Sequence, residues 1–333
     1  MKDFIKFTFA SVLGVVLAGI IFTILGIVTM VGMVASSDTE TMVEENSIFV
    51  LDLEGTLSER VQDNPFQAMM GEEYQAYGLD DILASIQKAK DNENIKGIYL
   101  QTAFLETSFA SLEEIRHALQ DFKESGKFVV AYADQYTQEM YYLASVADKI
   151  IVNPQGSISW HGLASQPIFY KDLLKKVGVE MQIFKVGTYK SAVEPFIATE
   201  MSDANREQTM AYLNTTWETF ADGVAASRNF TTDYFNDIAN SITSLRPTRD
   251  ILACNLADTT MYRPEFDAWL KTKVGIDNDK EINFASVAQL ASTAQPENKS
   301  KNTVFIVDEC SMISDQGDGY SWSRSILDDL IRY

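Results

Sequence analysis

The chain has 333 residues, 46% hydrophobic and 11% aromatic, enough to fill one large core or two modest ones. Its formal net charge of −20 argues against a nucleic-acid partner and against an electrostatic hold on anionic lipid, and reads as solubility. Two cysteines (Cys254, Cys310) and two histidines (His117, His161) supply no Cys-x-x-Cys spacing and argue against a zinc site or a histidine-based triad, so no cofactor or metal is expected.

The first element is apolar. No charge occurs between Lys6 and Asp38, and Phe9 to Ala35 is almost wholly Leu, Ile, Val, Gly and Met. About 20 such residues span a bilayer core, and the run is longer than the apolar part of a secretory signal. Val34-Ala35-Ser36-Ser37 is a weak cleavage site, so a retained transmembrane anchor is expected over residues 9–35. Lys2 and Lys6 precede it, and Asp38, Glu40, Glu44 and Glu45 follow. The positive-inside rule then puts residues 1–8 in the cytoplasm and the body outside: a single-pass protein of the inner (cytoplasmic) membrane.

After a linker at 36–46, Ser47–Leu53 reads as a buried strand. Asp80–Lys90 reads as a helix with Ile82, Leu83 and Ile86 on one face, and Ile95–Leu100 as a strand. A second helix is expected from near Ser111, whose Ser-x-x-Glu spacing to Glu114 is a capping box, to a stop at Gly126. Phe128–Tyr132 is the next strand, Glu139–Ala147 a short helix, and Lys149–Val152 a further strand. Strands alternating with helices predict an α/β fold of βαβ units. Met181–Lys185 is strand-like. A long helix follows over about Asp203–Ser227, with Met210, Leu213, Trp217, Phe220 and Val224 as a core-facing stripe. Smaller helices are expected through Tyr234, Ile238 and Leu252, and over Phe266–Val274. His117 reads as solvated, and His161, between Trp160 and Gly162, as a packing or capping residue.

Val186-Gly187-Thr188-Tyr189-Lys190-Ser191-Ala192-Val193-Glu194-Pro195-Phe196 puts one lysine between a glycine turn and an apolar, proline-containing segment. A lysine acts as a base at neutral pH only when burial lowers its pKa, and Val186, Ala192, Val193 and Phe196 are the neighbours that could bury it. On chemistry alone a solvated lysine is the commoner case. The segment closely resembles the lysine segment of signal peptide peptidase A, a Ser–Lys dyad membrane protease. The resemblance runs from the N-terminal anchor to about Ala294, through Tyr141-Tyr142-Leu143-Ala144-Ser145, Asn153-Pro154-Gln155-Gly156, His161-Gly162 and Met201-Ser202-Asp203. It implies a ClpP/crotonase-like fold with a helical cap, Lys190 as general base, and cleaved signal peptides or similar hydrophobic peptides as substrates. It also implies a membrane-bound homo-oligomer.

Long members of that family have two related halves, with the lysine in the first and the nucleophilic serine in the second. The serine opens a Ser-Gly-Gly-Tyr-type turn at a helix N-terminus. The matching place here is Gln138-Glu139-Met140-Tyr141-Tyr142, where Gln138 cannot be a nucleophile. Ser191 adjoins Lys190, but adjacent residues of an extended segment point to opposite sides. The chain therefore reads as a first peptidase-like half over 47–294, followed by a polar linker at 295–302 and a tail at 303–333.

That tail departs from the family. Thr303–Val307 reads as a strand running into Asp308-Glu309, like the metal-binding strand of a helicase-type ATPase, yet no Gly-x-x-x-x-Gly-Lys phosphate loop accompanies it. A buried edge strand with an acidic loop is the plainer reading, and a truncation or foreign fragment joined near 294–302 is expected. Four functions compete: a lysine-bearing peptidase half that is inert alone; a membrane-anchored, non-catalytic scaffold; a crotonase-type acyl-CoA enzyme, opposed by the lack of a basic site for CoA phosphates; and an ATPase fragment, opposed by the missing loop.

Overall fold

The computed structural model describes residues 2–37, 43–59, 77–241, 246–277 and 279–293, all within the first of two compact units, Met1–Ala294 and Gln295–Tyr333. The polar linker, the expected strand at 303–307 and the Asp308-Glu309 pair lie outside the described residues. The first helix, α1, runs Lys2–Ser37, and its Lys6–Gly26 stretch is long and apolar enough to cross a membrane.

The body is a parallel α/β sheet. Its strands are β1 (Ser47–Thr56), β2 (Ile95–Glu106), β3 (Phe128–Tyr136), β4 (Lys149–Ile158), β5 (Thr259–Thr260) and β6 (Phe284–Ala285), in the order β5-β4-β3-β2-β1-β6. All five pairings are parallel. Among the described residues, the helices between successive long strands are α2 (Leu79–Asp91), α3 (Phe109–Lys123) and α4 (Gln138–Ala144). The strands run past the ends that their apolar runs suggest, and the two-residue strands β5 and β6 carry no sequence signal of their own.

Continuous apolar runs suit strands that are buried on both faces. Phe49 and Leu51 of β1, Ile98 and Leu100 of β2, and Val129 and Ala131 of β3 face one core, with Ile82, Ile86, Leu112, Ile115 and Leu119 of α2 and α3 against them. The alternate residues Ile48, Tyr99, Val130, Tyr132 and Ile151 face a second, smaller core against Phe266 and Leu270 of α10 (Arg263–Val274). Phe266 stacks on Tyr132 at 4.6 Å between ring centroids. The period of two thus divides each strand between two layers.

Between β4 and β5 come α5 (Lys171–Lys176), α6 (Glu194–Ile197), α7 (Asp203–Arg228), α8 (Thr232–Ala239) and α9 (Thr248–Ala253); α11 (Val287–Ser292) follows β6. Three expectations are corrected. The cap of α3 is Ser108, whose hydroxyl accepts from the Ser111 N–H at 3.0 Å, so Ser111 lies inside the first turn rather than opening the helix. Met181–Lys185 forms no strand, for no neighbouring strand pairs with it. Of the expected core stripe on α7, Phe220 and Val224 are buried and Trp217 partly so, while Met210 stands 47% exposed, since the core cluster reaches only the second half of the helix.

Candidate active site: a lysine on an uncovered arm

The path to Lys190 begins where the core ends. Trp160 is fully buried just beyond β4, and its indole N–H donates to the Phe235 carbonyl at 3.0 Å. Phe220 is buried on α7. Between those two aromatic residues Glu194 is the only buried residue. His161 to Thr219 is therefore an arm with no apolar core of its own. Its two roots meet in the body, where Trp160 and Trp217 lie 5.0 Å apart, ring to ring.

The arm is held by polar contacts. Glu194 begins α6, and its carboxylate accepts from the Ser202 hydroxyl at 2.5 Å, the Ser202 N–H at 3.2 Å and the Asn205 amide at 2.9 Å. Ser202 is the cap of α7, so a negative charge sits at that helix's positive end. These bonds, chiefly the one from the Ser202 hydroxyl, hold the Glu194 carboxyl below the usual range, with Lys185 at 3.6 Å adding to the effect. Elsewhere the Tyr170 N–H donates to the Pro195 carbonyl at 2.6 Å, and Tyr189 donates to Glu207 at 3.0 Å.

Lys190 lies between these anchors. Gly187, at φ +93°, makes the turn before it, in a conformation that suits glycine. The burial that Val186, Ala192, Val193 and Phe196 could supply is not present among the described residues. Lys190 is exposed, Val186 is 88% exposed and Phe196 is 38% exposed. The physical reason is the arm itself, which offers side chains but no second layer. Among the described residues Lys190 makes no hydrogen bond or ion pair. Its amine is therefore open to solvent and lacks the apolar covering that lowers a lysine's proton affinity.

Gln138, at the place the resemblance gives to a serine, is the first residue of α4 and is buried. Its amide oxygen accepts from the N–H groups of His161 and Gly162, both at 3.0 Å, and its amide nitrogen donates to the Gly162 carbonyl at 3.2 Å. The His161 ring is exposed, with Nδ1 3.0 Å from the Gly162 carbonyl oxygen, and the residue's tie to the body is its backbone N–H. Sequence reasoning singled out Gln138 for what it is not, and missed Glu194 altogether. The available signal was a carboxylate eight residues before a helix-capping serine. Among the described residues no group of His, Cys, Asp and Glu is placed to hold a metal.

Residues 121–277 match peptidase family S49. The chain is similar to that class of peptidase over this part of its length. It is 39% identical to Protease 4 of Salmonella typhi over 54% of the chain and 30% of the relative. It is 41% identical to Protease 4 of Haemophilus influenzae over 46% and 25%, and 26% identical to the chloroplastic serine protease SPPA of Arabidopsis thaliana over 72% and 34%. The chain thus spans about a third or less of each of these relatives. Similar solved structures include a membrane-bound stomatin-specific protease, 12% identical with a TM-score of 0.35 over 73% of this chain and 98% of that one. An enoyl-CoA hydratase/isomerase family protein from Silicibacter pomeroyi is 12% identical with a TM-score of 0.36, over 70% and 79%.

Proposed function

We propose that this chain is the lysine-bearing half of a membrane-anchored Ser–Lys endopeptidase that degrades cleaved signal peptides or similar hydrophobic peptides. The carrying observation is the exposed Lys190 on an arm that buries one residue, within the segment that matches peptidase family S49. Such an arm gains from being covered. Burying Phe184, now 95% exposed, and Val186 would contribute about 1.5–3 kcal/mol each. The same covering would desolvate Lys190. A serine-bearing half seated there supplies both the missing layer and the nucleophile, and a homo-oligomer of such pairs is part of this reading.

In the covered state the neutral Lys190 amine takes the proton from the serine hydroxyl as its oxygen attacks the peptide carbonyl carbon. The resulting ammonium returns that proton to the departing amine, leaving an acyl-serine. A water, deprotonated by the same amine, then releases the acid. Residues 9–35 would anchor the body outside the cytoplasmic membrane, with 47–294 as the first half.

The test joins this chain to a serine-bearing half and follows hydrolysis of an apolar signal-like peptide. Lys190→Met should lower turnover at least ~10²–10⁴-fold with assembly intact. Lys185→Met should be mild, since its ion pair with Glu194 is long and the lysine partly exposed. Wild-type turnover in Lys190→Met would end the dyad reading. The alternative, a non-catalytic membrane-anchored scaffold, draws on the buried Gln138 in the serine's place.

A further inference from the structure

Gln138 spends its whole amide on two consecutive residues. One oxygen takes both N–H groups of His161 and Gly162, and the nitrogen of the same amide donates to the Gly162 carbonyl. An amide is suited to this, since it presents an acceptor and a donor side by side. His161 and Gly162 are the first residues of the arm. Before them Trp160 is fully buried; after them apolar burial stops until Phe220. Gly162 itself has φ +83°, a turn in which a side chain would be strained. The direction in which the arm leaves the body is therefore set at one bend, and one buried side chain grips both residues of that bend.

We infer that Gln138 is a positioning residue, a latch that fixes the root of the arm and so the place where Lys190 is presented. Its link to catalysis rests on the proposed function above; the latch does not. The far root has different holders: Trp217 donates to Asn236 at 2.8 Å and lies against Trp160. Loss of Gln138 should free the first root while leaving the second in place, so that the arm swings without detaching.

The experiment uses the full chain in detergent, with Cys254 and Cys310 changed to serine and spin labels on Phe184→Cys in the arm and Gln120→Cys on α3. The wild-type latch should give one narrow distance distribution. Gln138→Ala should broaden it and speed hydrogen exchange around His161 and Gly162 by roughly tenfold or more, with exchange of the sheet unchanged. Gln138→Glu keeps both accepted bonds and loses the donated one, so it should fall between the two and covers the case in which the alanine variant fails to fold. Equal distributions and exchange in all three proteins would overturn the latch, as would a rise in exchange spread evenly over the body. In the enzyme assembled with a serine-bearing half, Gln138→Ala should lower kcat with little change in KM, and Gln138→Glu should recover part of it. If Lys190→Met there keeps full turnover while Gln138→Ala still loosens the arm, the dyad reading fails and the latch stands.

Discussion

Arg116 lies under the ring of Tyr142, with its guanidinium carbon 4.4 Å from the ring centroid, and donates to that same residue's carbonyl. It is 2% exposed, and its other acceptors are the Ser145 hydroxyl at 2.7 Å, the Gly223 carbonyl and the Ser227 hydroxyl at 2.6 Å. None is a carboxylate. Burial pushes the guanidinium down to about 10, which leaves it charged at neutral pH. One cation thus ties α3, the end of α4 and α7 together. Glycine at 223 is what allows the approach, for a Cβ there would lie 2.9 Å from the Tyr142 ring.

Arg116→Met should destabilise the body by about 3 kcal/mol or more, because it strands several buried acceptors at once. Arg116→Lys should recover little, since an ammonium cannot fork to two helices. Urea unfolding of the detergent-solubilised chain reads this directly; a midpoint unchanged in Arg116→Met would mean that the acceptors find water.

Glu194 gives the arm a pH dependence of definite sign. Its folded-state pKa is lowered from the ordinary 4.5, so its contribution is present above that value and is lost as pH falls through the lower folded one. Hydrogen exchange in the first turns of α7 should therefore quicken on acidification below about 4.5, more than exchange elsewhere in the body. Glu194→Gln should remove the pH dependence, since an amide does not titrate. An acid profile identical in both proteins would show that another group holds the arm.

The sheet was legible because its strands are buried on both faces. Runs such as Ile48–Leu51 and Val129–Ala131 need no partner information to be recognised. The arm was misread for the opposite reason. Met210 and Leu213 have the same helical spacing as Phe220 and Val224, and spacing cannot say whether anything packs opposite. Val186 and Phe196 beside Lys190 suggested a pocket by composition, whereas a pocket also needs a second wall. Ser111-x-x-Glu114 matched a capping box, but Ser108 wins the cap because the helix begins one turn earlier. The grip of Gln138 on His161 and Gly162 crosses more than twenty positions and leaves no local pattern at all.

Lys127 closes the C-terminal end of α2. Its ammonium donates to the carbonyls of Ala89, Lys90 and Asn92 at 2.8, 2.8 and 2.7 Å. A positive charge there also complements the negative end of the helix dipole. Lys127→Met should cost about 2 kcal/mol and fray the last turn of α2 first, visible as faster exchange at Lys90–Asn92. Uniform loss of protection, with no local onset, would contradict this role.

The full chain by itself should be inert. Gln138 offers no nucleophile, and Lys190 lies exposed on the arm with no serine hydroxyl bonded to it among the described residues. Purified protein should neither cleave a hydrophobic peptide nor label with a fluorophosphonate. Labelling that maps to Ser191 would overturn this and would make the neighbouring pair the reactive one.

Because the arm departs at Trp160 and returns at Trp217, with those two rings in contact, it is topologically an insertion. No strand of the sheet lies within it. Its length and sequence can therefore vary in descendants of this chain without disturbing the register of any β pairing. Replacing His161–Thr216 with a short flexible bridge, which keeps Trp217 against Trp160, should leave a folded sheet. Selection can then remodel what the arm meets independently of the body that carries it.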